Sequence, residues 1–536
     1  MANTQLFASV RGQFLPPTDT VNEAGGTAYM LPPKERLAQY LMTGTLNGTF
    51  YADAELQLDA LLALAAEVDA EFLAKAAIYA RRRGQMKDTP ALIAAILTRK
   101  YPALAKAVFE RVVDNGKMLR NFVQILRSGQ TGRKSLGTAP KRLVQRWLEA
   151  ASDEKLLNAS VGQQPSLADI VKMVHPRPQN EAREAFYGWL IGNKVDEAKL
   201  PAIVQSFERF KRGEGQQPAV DFRLLAGLPL TEVQWKEIAR QAPWQMTRMN
   251  LNTFTRHGVF ASGSETMRDA FGKVGVSVLV DNMASLVAQR LRDPEAVRRV
   301  RAYPYQLLVA YANAAPEVPA EVREALQDAL EVSLANVPDL EGRTWVLVDV
   351  SGSMGSPITG HRRGATTAVR CVDVAGLIAA AVLRKNPLAG VIAFDTEAIR
   401  LDLNPRDSLV TNTGKIAAKL GGGTAISSAF ALLNREKAKG DTVILVSDNQ
   451  SWVDTCQGAT ATMQGWEAFR QRNPKARLAC MDLQPYGTVQ TVPRADILHV
   501  GGFADSVFDL LASFAAGQMG SGFWVKEIEE VMLELK

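Results

Sequence analysis

Two different periods govern where this chain puts its apolar residues, and the switch between them near residue 340 constrains the fold more than any single motif. From Pro33 onward, stretches such as KERLAQYLMTG, AEFLAKAAIYARRRG and TPALIAAILTRKYPALAKAVFERVV place apolar residues at i, i+3, i+4 and i+7 and end at Gly or Pro. That spacing marks amphipathic helices of about 10 to 20 residues. The pattern returns at Lys141–Leu148, Ser166–Val174 and Glu181–Ile191 and persists intermittently to about Ala335. So long a run of helix pairs cannot share one core, which predicts an all-α solenoid of HEAT type.

Beyond residue 340 short apolar runs alternate with helical ones. Trp345–Val348, Gly390–Phe394, Thr442–Val446, Ala476–Asp482 and Ile497–Val500 read as strands, and Thr366–Leu383, Ser427–Lys437 and Ser506–Ala515 as helices. This alternation predicts a doubly wound parallel α/β sheet. Ligands on such sheets bind in the crevice beyond the strands' carboxyl ends. The expected organisation is an irregular N-terminal arm over residues 1–30, a helical repeat domain over 31–338 and an α/β domain over 339–536.

No window approaches 18 consecutive apolar residues, and the opening MANTQLFASVRGQFLPP lacks the basic-then-apolar pattern of a secretory signal. A cytoplasmic protein with no membrane partner is expected. Cys371, Cys456 and Cys480 are odd in number and confined to the last third of the chain, so reduced, packed thiols are expected rather than disulfide staples. His175, His257, His361 and His499 are scattered singly, which argues against a Cys/His zinc site.

Charge is distributed unevenly. Residues 341–536 carry 20 Lys+Arg and 20 Asp+Glu, so the whole excess of +6 lies in the helical half. Within it, residues 81–150 carry 16 Lys+Arg against four acids, a polyanion-friendly stretch. Arginines on helices ordinarily form a solvated face. Here, however, they cluster as Arg81-Arg82-Arg83, as Arg133-Lys134 and as Lys141-Arg142 with Arg146, and a Gly-containing turn separates Arg127 from Arg133. Turns and helix starts are where phosphates dock, because free backbone N–H groups add to side-chain charge there.

The first strand of the α/β half runs into Asp349-Val-Ser351-Gly-Ser353, a D-x-S-x-S loop at the expected ligand crevice. Thr424, after three glycines, and Asp448, just past the strand Thr442–Val446, offer two more oxygens at matching positions. An aspartate pair with three hydroxyls suits a small hard divalent cation, Mg²⁺ first and Mn²⁺ second.

This constellation resembles the metal-ion-dependent adhesion site of a von Willebrand factor A domain. The resemblance implies that Asp349, Ser351, Ser353, Thr424 and Asp448 coordinate a cation directly or through water, with one position left for an acidic residue of a partner protein. A helical repeat preceding such a domain is similar to the Ro ribonucleoprotein family, whose helical part is the TROVE module. Gln39-Tyr40-Leu41 with Gly44 and Asn47-Gly-Thr-Phe-Tyr51, the basic helix Gly137–Trp147, the segment Asp169–Pro178 and Tyr303–Leu307 all resemble that module's motifs in order.

The bacterial branch of the family is the nearest in kind. The resemblance implies a closed ring of helices that binds small Y-type RNAs on a basic outer surface. It also implies that single-stranded 3′ ends of misfolded or structured RNA enter a central hole, in RNA quality control beside a 3′-to-5′ exoribonuclease. It assigns small-RNA contact to His175, with Lys172 on the same helix face and Arg177 in the same motif. The stretch Asn158–Gln164 is uncharged where eukaryotic members are basic.

Two other readings compete. A metal-dependent protein-adhesion or assembly factor would use the same five residues without RNA. A two-metal nuclease needs several carboxylates around two ions, whereas only Asp349 and Asp448 are in evidence, so no catalytic residue is assigned. Trp244, Arg248, Arg256 and His257 suit either base stacking or packing.

Overall fold

Every residue of the strand Thr344–Asp349 is buried, as its unbroken apolar run requires of a central strand covered on both faces. The structure, a computed structural model, describes residues 15–43, 46–132, 135–261, 263–265, 278–280, 282–361, 369–454, 458–503, 507–520 and 522–534. Thr344–Asp349 sits within a six-stranded sheet ordered Ile497–Gly501, Arg477–Asp482, Thr442–Ser447, Thr344–Asp349, Gly390–Phe394, Ala398–Leu401. Neighbours are parallel except the last, which returns antiparallel to Gly390–Phe394.

The doubly wound sheet is thus as expected. The exception is the exposed edge strand Ala398–Leu401, which follows Phe394 through a three-residue turn too short for a crossover. One face, with Trp345, Leu347, Phe394, Leu445 and Cys480, packs on Phe430, Leu433, Met463, Trp466 and Phe469. Those residues come from the helices Ile426–Arg435 and Ala461–Arg472. The helix Cys371–Lys385 buries twelve of its fifteen residues. Cys371 and Cys480 are free, buried thiols, their acidities pushed up chiefly by burial. Cys456 lies outside the described residues.

Among the described residues, nineteen α-helices precede the sheet. They end as the sequence suggests. Asn115 caps Gly116–Ser128, whose C-terminus is closed by Gly129 at φ 88°, and Ser166 and Asp169 form a reciprocal capping box on Leu167–Val174. Packing divides the chain into two units that differ from the division read in the sequence. One is residues 1–61 with 337–525, and the other is residues 62–336 with 526–536.

The N-terminal stretch expected to be irregular holds the strands Thr20–Val21 and Thr27–Met30, and the second pairs with Thr488–Val489. Asn22 donates to the Ser451 carbonyl at 2.7 Å, and a Cβ on Gly26 would lie 2.0 Å from that carbonyl oxygen. At the other end, the C-terminal segment belongs with the helical unit. Lys75 donates to the Glu529 carbonyl at 3.1 Å, and Arg111 pairs with Glu534 at 3.3 Å.

Gly390 faces Trp345 across the sheet, and a Cβ there would lie 2.1 Å from the indole ring. Trp345 is 1% exposed, so it has nowhere to go. Gly390→Ala is expected to cost about 1–3 kcal/mol. This would be measured as a lower urea midpoint at unchanged m-value; an unshifted midpoint would mean the ring relocates without strain.

Candidate metal centre and RNA interface

Asp349 ends the central strand, and Asp448 immediately follows the neighbouring strand Thr442–Ser447, so parallel pairing alone brings the two carboxylates to one rim of the sheet. Asp349 Oδ1 accepts from the Ser351 N–H at 2.8 Å, and its Oδ2 accepts from the Ser447 hydroxyl at 2.6 Å. The hydroxyls of Ser351 and Ser353 are 3.2 Å apart. Asp448 Oδ1 takes the Gln450 N–H, while its Oδ2 has no hydrogen-bond partner.

The loop bearing Thr424 is zipped to the serine loop by Gly352 N–H to Gly422 O at 3.1 Å and Gly421 N–H to Val350 O at 2.8 Å. Gly422 adopts φ +72°, and a Cβ would meet the Asp395 carboxylate at 2.6 Å. Glycine is therefore required at this turn. All five expected residues are buried, at 0–4% exposure, on loops joined to one another or at the ends of neighbouring strands.

Burial, and then the charge of Asp448, pushes the Asp349 carboxyl well above the usual carboxylate range. Asp448 is raised by burial as well. Neither has a lysine or arginine partner among the described residues. Two uncompensated carboxylates in low dielectric, one with an orphaned oxygen and with the buried Asp482 carboxyl within its field, and three hydroxyls form an all-oxygen donor set that fits a hard dication. Among the described residues no cluster of three or more His, Cys, Asp or Glu offers an alternative. Ser447, which orients Asp349, escaped the sequence reading because serine at a strand end carries no distinguishing pattern. So did Asp454, which accepts from the Ser427 N–H and the Ser451 hydroxyl.

The basic candidates occupy the helical unit. On Thr138–Ala150 the buried face is Leu143, Val144, Trp147 and Leu148, with the Trp147 indole donating to the Val113 carbonyl at 2.7 Å. Arg142 and Arg146 are thereby turned outward, and Lys141 is half-buried. Gln145 donates to the Val174 carbonyl at 2.6 Å. It thus draws the turn with exposed His175 and Arg177 beside the face that carries Lys141 and Arg142.

His175 closes its helix at φ 52° and, with Lys172, Pro176, Pro178 and Tyr187, lines a groove of about 410 Å³. Asp169 is held below its ordinary range by Ser166 first and then by the charges of Lys172 and Arg127. Arg133 and Lys134 lie outside the described residues.

Other cations are committed to structure. Arg81 clasps Asp114 at 2.8 Å, and Arg183 is buried on the carbonyls of Leu148 and Ala151. Trp244 is buried with its indole on the Leu291 carbonyl, and His257 stacks on Trp235 at 4.2 Å, so packing accounts for both. A cluster not singled out in the sequence surrounds Lys87, whose ammonium is pushed down by burial and then by Lys117, Arg81 and Arg223. Lys87 and Lys117 both stand at helix N-termini, where a cation opposes the helix dipole. That mismatch was the available signal.

The family model of the Ro60 vWA domain matches residues 343–515. The chain is 26% identical to the RNA-binding protein RO60 of Deinococcus radiodurans over 93% of its own length and 95% of that protein. It is 24% identical to the RNA-binding protein RO60 of Caenorhabditis elegans over 61% of its length and 50% of that one. The crystal structure of the Deinococcus radiodurans Ro (Rsr) protein aligns with a TM-score of 0.59 at 20% identity, covering 91% of this chain and all of that one; the fold is shared.

Saturating Mg²⁺ is expected to stabilise the wild-type chain by about 2.7 kcal/mol at a hundredfold excess over Kd, a Tm rise of about 5–10 °C. Asp349→Asn removes that response, yet in chelator it is at least as stable as wild type because one of two repelling charges is gone. Calorimetry with and without EDTA checks both; a Mg²⁺ response surviving in Asp349→Asn would take the cation elsewhere.

Proposed function

With a C-terminal domain of the Ro60 von Willebrand factor A type and similarity to Ro proteins along 93% of its length, the chain is a member of the Ro ribonucleoprotein family, and from that premise we propose that it is a noncatalytic RNA-binding scaffold. The observation that carries this reading is the convergence of Lys141, Arg142, Lys172, His175 and Arg177 on two helices joined by the Gln145 bond. Such a patch of basic side chains beside a groove suits phosphates and an unstacked base.

In this reading the patch holds a small structured RNA of Y type, and the cations around Lys87 and Lys117 guide a single strand. The helices form the ring that the family resemblance implies, with a hole that takes a free 3′ tail and turns away a duplex. Preference for misfolded RNA then needs shape rather than sequence. Decay would be left to a separate 3′-to-5′ exoribonuclease. The five oxygen donors hold Mg²⁺, or Mn²⁺ in its place.

No described helix is long and apolar enough to cross a membrane, and the cytoplasm, where structured RNA is abundant, is the proposed location.

Gel shifts of nuclease-treated protein against a structured RNA with and without a single-stranded 3′ tail, at two salt concentrations, test the proposal. Tail-dependent, salt-sensitive binding without cleavage is expected; binding of neither RNA would favour a protein-adhesion factor. Lys141→Ala combined with Arg142→Ala should weaken binding and lower the log–log salt slope by up to about 1.4, two contacts at ~0.7 each. Asp349→Ala should leave RNA affinity unchanged, because the carboxylates and the cationic patch belong to separate packing units. Cleavage lost in Asp349→Ala would instead make the protein a nuclease.

A further inference from the structure

Sites of the von Willebrand factor A type are expected to present one face to an acidic residue of another protein, and here a turn of the chain itself packs beside the serine loop. The turn Asn47–Tyr51 is fastened to the loop that follows the two serines. Gly48 bridges His361, and the Asn47 amide donates to the Thr359 carbonyl at 2.8 Å. On its other side the Tyr51 N–H reaches the Tyr486 hydroxyl at 3.4 Å, and the two rings meet edge to face with centroids 5.8 Å apart. Tyr486 is itself held beside Gln484, whose amide donates to the Pro357 carbonyl at 3.1 Å. The Tyr51 phenol thereby stands near Ser353 and in the field of Asp448 and Asp349; burial first, and then those charges, push its pKa up.

We propose that Tyr51 is the built-in occupant of the outward face of the metal site, standing where a partner's carboxylate would stand, so that the cation secures the chain's own Asn47–Tyr51 turn. The inference rests on the metal reading above. Charge balance favours it. Asp349 and Asp448 already neutralise a dication and Asp482 lies buried within the field of Asp448, so a further carboxylate would be buried without compensation, whereas a neutral phenol adds an oxygen at no charge. The ring also keeps water out, which strengthens the attraction between cation and carboxylates. Tyr51 acts here as a positioning residue, and an acidic protein reaches the site only when the turn lifts.

Mn²⁺ is the probe, with the full chain and its Tyr51→Phe, Tyr51→Ala and Asp349→Ala variants. Affinity is read by electron paramagnetic resonance and metal-bound water by proton relaxation, each with and without acetate. Wild type should bind Mn²⁺ with few exchangeable waters and no response to acetate. Tyr51→Phe should bind about tenfold more weakly and stay unresponsive. Tyr51→Ala should gain bound water and lose it again on adding acetate. Affinity and relaxation identical in wild type and both tyrosine variants would overturn the role of Tyr51 while leaving the metal site intact. Absence of Mn²⁺ binding to wild type, or binding unaffected by Asp349→Ala, would overturn the metal reading itself and this inference with it.

Discussion

Two carboxylates that cannot avoid each other organise one half of this molecule. Asp349 and Asp448 are carried to the same rim by adjacent parallel strands, each costs several kcal/mol to bury as an ion, and no basic side chain among the described residues meets either. Every nearby feature follows from managing that charge. Ser447 and the Ser351 N–H take the lone pairs of Asp349, Gly421 and Gly422 let the threonine loop close onto the serine loop, and the hydroxyls supply donors without adding charge. The cost is tolerable in a folded chain only if a cation or protons neutralise the pair, which links the stability of the sheet to what it binds.

The helical unit follows the opposite rule, keeping its charge outside. Trp147, Leu143 and Val144 hold Thr138–Ala150 by one face, and the cations that remain are free to meet phosphate. Composition alone does not separate these from cations spent on structure. Arg81 and Arg183 belong to the same basic-rich half, yet one closes on Asp114 and the other is buried on two carbonyls. What distinguishes Lys172, His175 and Arg177 is exposure, the first two on the rim of a groove, together with an anchoring bond from Gln145 to a carbonyl 29 residues away.

Much of this was legible in the residues. The parallel strands, their order of appearance and three of the domain's helices followed from periodicity, whereas Leu409–Ala417 and Ala461–Arg472 were not read; Asp349, Ser351, Ser353, Thr424 and Asp448 stood out as candidate donors by their spacing after strand ends. The edge strand Ala398–Leu401 was not, because a four-residue exposed strand lacks an apolar face. Residues 20–30 were not, because their pairing with Thr488–Val489 involves partners more than 450 residues apart. Lys87 and Lys117 were legible only as a conflict with the helix dipole, which composition arithmetic averages away.

The sequence by itself determined the two architectures and the chemistry available at each, since helix period, strand alternation and the oxygen donors of a loop are local properties of neighbouring residues. Tertiary structure alone decided which cations stay free, where the terminal segments pack and which turn packs beside the serine loop. Tyr51 reaches Tyr486, Asn22 reaches Ser451, and Lys75 reaches Glu529 across hundreds of residues. No local pattern encodes such meetings, because they arise only when the packed sheet and helices bring distant segments to the same place.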